Sequence, residues 1–157
     1  MELIIFLSSI LFWIIYYVFE GLHDTAFIKE RDTLKEKVKD EDYDAVDSRI
    51  KFHEKMWHRY DSLEKSLVKI IFSVLVFLIT NNLLFSFQLL CLSVAIRMIM
   101  HDLVVALGLG KGLKHIGPSQ DIWWDTFLRK MNSSGINQYI IKAIPLISIL
   151  FWIIYTL

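Results

Sequence analysis

The sequence predicts an all-α integral membrane protein: a four-helix membrane bundle with a cytosolic helical extension and an interfacial helix, one domain covering 1–157. Three observations point there. Of the 157 residues 55% are apolar and only two are proline, above the roughly 45–50% apolar content of an ordinary soluble domain. The apolar residues lie in four nearly uncharged runs, without the spacing of a soluble amphipathic helix. The cations fall in only two of the connections between those runs. The same composition excludes other classes. It is too apolar for disorder, and a lone Cys91 cannot staple a disulfide scaffold. Lys plus Arg equals Asp plus Glu at 17 each, so the basic excess of a nucleic-acid binder is missing. The partners expected are membrane lipids and not nucleic acid, with a homo-oligomer left open.

The first run, Leu3 to Phe19, holds no charge between Glu2 and Glu20, and its length suits a short crossing over 3–20. A signal peptide is disfavoured, because no Lys or Arg precedes the run and no small-residue cleavage site follows it. Residues 24–40 mix both charges and read as a solvated or surface-lying helix. Asp40-Glu41-Asp42-Tyr43-Asp44 resembles the start of a calcium loop, but Ala45 and Lys51 stand where that loop needs Gly and Glu. Residues 45–65 read as a helix approaching the membrane, with Trp57 and Tyr60 suited to the interface.

One helix over 65–107 would be about 65 Å long, about twice the hydrocarbon thickness. Asn81-Asn82 is a turn-forming pair, so two spans are expected, 62–81 and 83–107, joined by a tight hairpin. The glycine-dense stretch from Gly108 to Pro118 lacks the strand of a dinucleotide fold and the ending of a P-loop. It should end the third helix. After it, Asp121 to Leu128 reads as an interfacial helix capped by Ser119, its tryptophans at headgroup level. The fourth span, 138–157, is interrupted by Lys142 and Pro145, and the proline should kink it or mark its start.

Topology follows from the cations. Nine lie between the first two spans, from Lys29 to Arg59, and Lys111, Lys114, Arg129 and Lys130 lie between the last two. The hairpin and both termini have none. Both long loops, 21–61 and 108–137, are therefore expected in the cytoplasm and both termini outside it, in a bacterial inner membrane.

All five histidines then fall at the cytoplasmic face, where three polar constellations form. Glu20, His23 and Asp24 share a face if the first helix continues. Arg97 sits one turn before His101 and Asp102, deep enough to need an anion. Glu54, His58 and Asp61 fall on one face before the second span. Any one alone reads more readily as an interfacial or ion-paired group than as chemistry. Three helices delivering His and carboxylate to one depth make a stronger case, and these are the ligand types of zinc and other first-row divalent ions. The expected site has Glu20, His58 and Asp102 as catalytic groups. His23, Asp24 and His101 are the expected metal ligands, and Arg97, Lys111 and Lys114 are expected to hold substrate phosphate.

Glu20-Gly21 with Asp24, Trp57-His58, Arg97 with Asp102, and Trp124-Asp125 give the chain a layout that resembles small four-span proteins of Bacteroidota and their phages. The resemblance implies that these polar positions form one site; it implies no particular activity. Three function classes stay open. One is a membrane hydrolase, metal-assisted, acting on a lipid or amphiphile from the cytosolic leaflet. The second is an oligomeric channel, transporter or membrane-perturbing protein. The third is a non-catalytic scaffold or inhibitor.

Overall fold

The computed structural model describes residues 1–37, 63–112 and 123–157. The described residues form five helices and no strand: α1 (Glu2–Lys37), α2 (63–80), α3 (Leu83–Gly108), α4 (Trp123–Ser133) and α5 (Gln138–Thr156). Three stretches are long and apolar enough to cross a membrane: Glu2–Thr33 of α1, all of α3 and all of α5. Helix α2 does not meet that standard by itself. Glu64, Lys65 and Lys69 crowd its first two turns, and residues 70–80 alone fall short of the roughly 20 apolar residues a span needs.

The first helix outlasts its apolar run. It continues without a break through Gly21 to Lys37, 36 residues in all, so residues 24–37 extend the span helix and do not form a separate surface element. No proline interrupts the stretch, and Glu, Lys, Arg, Leu and Ala are good helix formers. Gly21 supplies a close approach to α3: a Cβ there would lie 2.8 Å from the Cβ of Val104 and 3.2 Å from the His101 carbonyl oxygen. One turn on, the same seam brings Gly108 against Thr25, whose Cγ2 would lie 2.6 Å from an added Cβ. Small residues on both partners let two backbones approach without a side-chain spacer.

The hairpin forms as the asparagine pair predicts. Asn81 takes a positive φ of 50°, a conformation that Asn tolerates better than most residues. Asn82 caps α3, its Oδ1 accepting from the Phe85 amide at 3.0 Å. Its Nδ2 donates to Glu2 Oε1 at 3.1 Å, which sets the N-terminus beside the hairpin. Gln88 Nε2 donates to Thr156 Oγ1 at 2.8 Å, so the end of α5 lies towards the same end of the bundle. At the other end, Gly135 turns the chain between α4 and α5 with a φ of 86°. Asn137 caps α5 by accepting from the Tyr139 amide, and the helix runs continuously through Pro145.

The core fills the hairpin-side part of the bundle. Phe6, Trp13 and Tyr17 of α1 meet Val76 of α2, Phe85, Leu89, Leu92 and Ile96 of α3, and Ile153 of α5. Phe12 stacks on Phe72 at 5.5 Å between centroids, and Trp13 meets the same ring edge-on, so α2 packs against α1. The outer surface is apolar as well: Ile4, Leu11, Leu78, Ile144, Ile147 and Phe151 are all exposed. An apolar surface wrapped around an apolar core suits lipid as the solvent.

Candidate functional site

Beyond the aromatic core the bundle becomes charged. From the hairpin end, at about 1.5 Å per residue, Arg97, Lys65 and Lys142 lie about 21–22 Å along their helices, with Glu20 and His101 at about 27 Å. Helices α1 and α3 run parallel, with α2 and α5 antiparallel to them, and they bring their polar residues to matching depths. The matching extends across four helices.

Glu20 of α1 is the hub. Its side chain is 4% exposed, and Oε1 receives hydrogen bonds from Arg97 Nε (3.0 Å) and Nη2 (2.9 Å) of α3. Lys65 Nζ of α2 approaches the same oxygen at 2.8 Å. The anion that Arg97 was expected to need is thus Glu20, with Lys65 as a second cation. One turn along α1, Asp24 Oδ2 lies 2.7 Å from His101 Nε2, and His101 Nδ1 lies 3.2 Å from Asp102 Oδ1. Two carboxylates on the two ring nitrogens are satisfied together only by an imidazolium, which carries both N–H groups. Asp102 in turn accepts from Lys142 Nζ of α5, which also donates to Gln138 Oε1 at 3.0 Å. Lys142 is 1% exposed. A cation buried so deeply requires partners of this kind.

One ligand atom each from Glu20, Asp24 and His101 lies within 4.8 Å of the others. Ligand distances near 2.0–2.2 Å let one ion bridge roughly that span, so this trio could hold a metal ion. The donor set has spare capacity for it. Glu20 Oε2 and Asp24 Oδ1 are buried and make no hydrogen bond among the described residues. Each carboxylate spends one oxygen on the protein network and keeps the other. A metal would also have to replace the proton on His101 Nε2, since imidazole ligates in its neutral form.

The expected residues separate under this geometry. Glu20, Asp24, Arg97, His101 and Asp102 come together in one network. His23 does not join the ligand trio: it is exposed, its Nδ1 3.7 Å from Asp24 Oδ1. Lys111 is exposed beyond the end of α3. His58, Lys114, Glu54 and Asp61, together with Trp57, Tyr60, Ser119 and the 40–51 segment, lie outside the described residues. Sequence reasoning missed Lys65, Lys142 and Gln138. Lys142 read as an interruption of the fourth span, yet its depth, counted back from the chain end, matches that of Arg97. The depth matching that gathered the histidines would have found it.

Comparison with models of protein families, with curated proteins and with solved structures finds no match to the chain.

Proposed function

We propose that the chain is a four-span membrane protein that binds a divalent first-row ion, such as zinc, through Glu20, Asp24 and His101 at one leaflet. The bound ion would serve hydrolysis of a lipid or other amphiphile. The observation that carries this reading is the pair of buried carboxylate oxygens, Glu20 Oε2 and Asp24 Oδ1, that lack hydrogen bonds among the described residues and lie beside an imidazole. When bound, such an ion supplies a Lewis acid and lowers the pKa of a coordinated water. The chain's own groups do the positioning. Asp102 holds His101 Nδ1 and so fixes the ring, as outer-shell carboxylates do for metal-bound histidines. Arg97, 38% exposed, offers charge to an anionic group that reaches the site from lipid.

Helix α2 serves as the remaining span in this reading. It is the antiparallel partner of α3 across a two-residue hairpin, and it contributes Phe72 and Val76 to the packed interior. Its lysines sit at the charged end. The cation distribution supports a cytoplasmic position for that end, with both termini opposite, and the reading takes the membrane to be a bacterial inner membrane.

A conducting role is disfavoured within one chain, because Trp13, Leu89, Leu92 and Ile153, all fully buried, pack the interior between the hairpin end and the charged cluster. A purely structural network is the second reading, favoured by the direct pairing of Glu20 with Lys65 and Arg97 and of Asp102 with Lys142. Metal uptake separates the two. Protein stripped with chelator and reloaded with zinc, manganese or iron should retain one equivalent by elemental analysis. Glu20→Gln and Asp24→Asn should lose it while keeping their helical circular dichroism. Folded wild-type protein that retains no metal would establish the structural reading.

A further inference from the structure

Among the described residues Lys69 has no ionic partner. It lies one turn after Lys65 on α2, half-buried, with Nζ 6.0 Å from the centroid of the Tyr17 ring. Among the described residues its side chain makes no ion pair or hydrogen bond, and it feels the charges of Arg97, Lys65 and Glu20. Its Cα is about 16 Å along α2 from the hairpin end at 1.5 Å per residue, inside the hydrocarbon depth. A lone ammonium there is costly unless it snorkels or meets an anion.

Its direction matters. Helical side chains lean towards the helix N-terminus, and for α2 that is the charged end. The Lys69 head is thereby carried towards the level of Glu20, where the apolar run of α1 stops. Glu20 is already met there by two cations, Lys65 at 2.8 Å and Arg97 at 2.9 Å. Asp24, the next nearest acid, is already held at 2.7 Å by His101. Lys69 therefore adds a positive charge that no described carboxylate pairs, in a place where water is scarce. Arg97 keeps capacity as well: Nε and Nη2 are spent on Glu20, whereas Nη1 makes no bond to the described residues and its side chain is 38% exposed.

We propose that Lys69 and Arg97, seconded by Lys65, form a phosphate-binding subsite beside the Glu20–Asp24–His101 cluster, so that the amphiphile taken up there bears a phosphate. The inference rests on the membrane placement given above and needs no metal, so its test uses chelator-stripped protein. Guanidinium and ammonium groups are the usual recognisers of phosphate, the first by its planar fork and the second as a point charge. The two polar clusters divide the labour: the carboxylate–imidazole trio faces a cation, and the lysine–arginine corner faces an anion.

The phosphate can come from a lipid headgroup or from solution. Stripped protein is placed in nanodiscs with phosphatidylglycerol against a phosphate-free glycolipid of the same chains, and retained lipid is read by native mass spectrometry. A second arm titrates inorganic phosphate into protein in glycolipid nanodiscs. Wild type should retain phosphatidylglycerol preferentially, and Lys69→Met should lower that retention about fivefold or more. Lys69 has no ion pair to lose among the described residues, so the variant should fold; Arg97→Lys, which keeps a charge towards Glu20 but loses the fork, is the second variant. Lys69-dependent binding of inorganic phosphate without lipid preference would support the subsite with a soluble source. Equal retention by wild type and both variants, or no binding in either arm, overturns it. A chain that holds phosphate but never metal would sustain this subsite while removing the metal reading.

Discussion

Glu20 is compensated twice, and that changes what its loss of partners should cost. Removing one partner of a buried ion pair usually costs about 3–5 kcal/mol because a charge is left unpaired. Here Arg97→Leu leaves Lys65 at 2.8 Å on the same oxygen. The single variant should therefore lose about 1.5–3 kcal/mol, the range for hydrogen bonds to a charged group. Lys65→Met should behave alike. The double variant should cost more than the sum of the two, by about 1 kcal/mol or more, because only then does Glu20 lose both close cations and keep only His101 Nε2 at 3.9 Å. Denaturant unfolding in detergent reads all three, and strictly additive losses would show that Glu20 finds compensation elsewhere. Lys142 makes a parallel case on α5. Lys142→Met should destabilise by about 1–3 kcal/mol, tempered because Asp102 is 43% exposed and partly hydrated. Adding Asp102→Asn should recover part of the loss. The need of Arg97 for an anion was legible in the sequence, because an arginine at that depth is costly wherever it is found. The identity of that anion was not: Glu20, Asp24 and Asp102 all lay within reach of a helix whose rotation about its axis the sequence leaves free.

At the level of elements, the α1–α3 seam decides whether the site exists. Asp24 and His101 meet at 2.7 Å only because Gly21 lies against Val104 and Gly108 against Thr25. Thr25 has little room to yield, since its Oγ1 donates to the Gly21 carbonyl at 2.7 Å. Gly21→Ala and Gly108→Ala should each push the helices apart and cost about 1–3 kcal/mol, the usual range for overpacking. Both should also weaken metal retention at Glu20, Asp24 and His101 without touching a ligand. Gly112→Ala is the control: nothing lies within 4 Å of a Cβ there, and stability should stay within about 0.5 kcal/mol of wild type. A Gly21→Ala variant as stable as that control would mean that the crossing is looser than described. The sequence left Gly21 ambiguous. A glycine just after an apolar run signals a helix end as readily as a close crossing, and only the opposing Val104 distinguishes the two. The hairpin carried no such ambiguity, because Asn81 and Asn82 supply both the left-handed turn and the cap from their own side chains.

For the whole molecule, polarity is divided along the bundle axis. The hairpin end has Glu2, Asn82, Gln88 and Thr156 in neutral or singly charged contacts, whereas the other end concentrates lysine, arginine, histidine and carboxylates. Such a division was readable from charge counts alone, and the contacts between Glu2 and Asn82 and between Gln88 and Thr156 give it a physical form. Less readable was the role of α2, whose three early charges make it a poor span in isolation. Its lysines become tolerable through partners that the linear sequence does not reveal: Lys65 through Glu20, and Lys69 through the anion proposed above. If α2 crosses with the others, Asn82 and Lys111 lie on opposite faces. Single cysteines at these two positions, in a Cys91→Ser background, test that with a membrane-impermeant thiol reagent. Asn82→Cys should label in intact spheroplasts, and Lys111→Cys only after the membrane is opened. A three-span arrangement, with α2 lying at the interface, would put residue 82 on the same side as the N-terminal end of α2 and abolish its labelling from outside. It would also run α3 opposite to α1 and break the parallel pairing that brings Arg97 to the depth of Glu20, so the topology and the charged site stand on the same geometry.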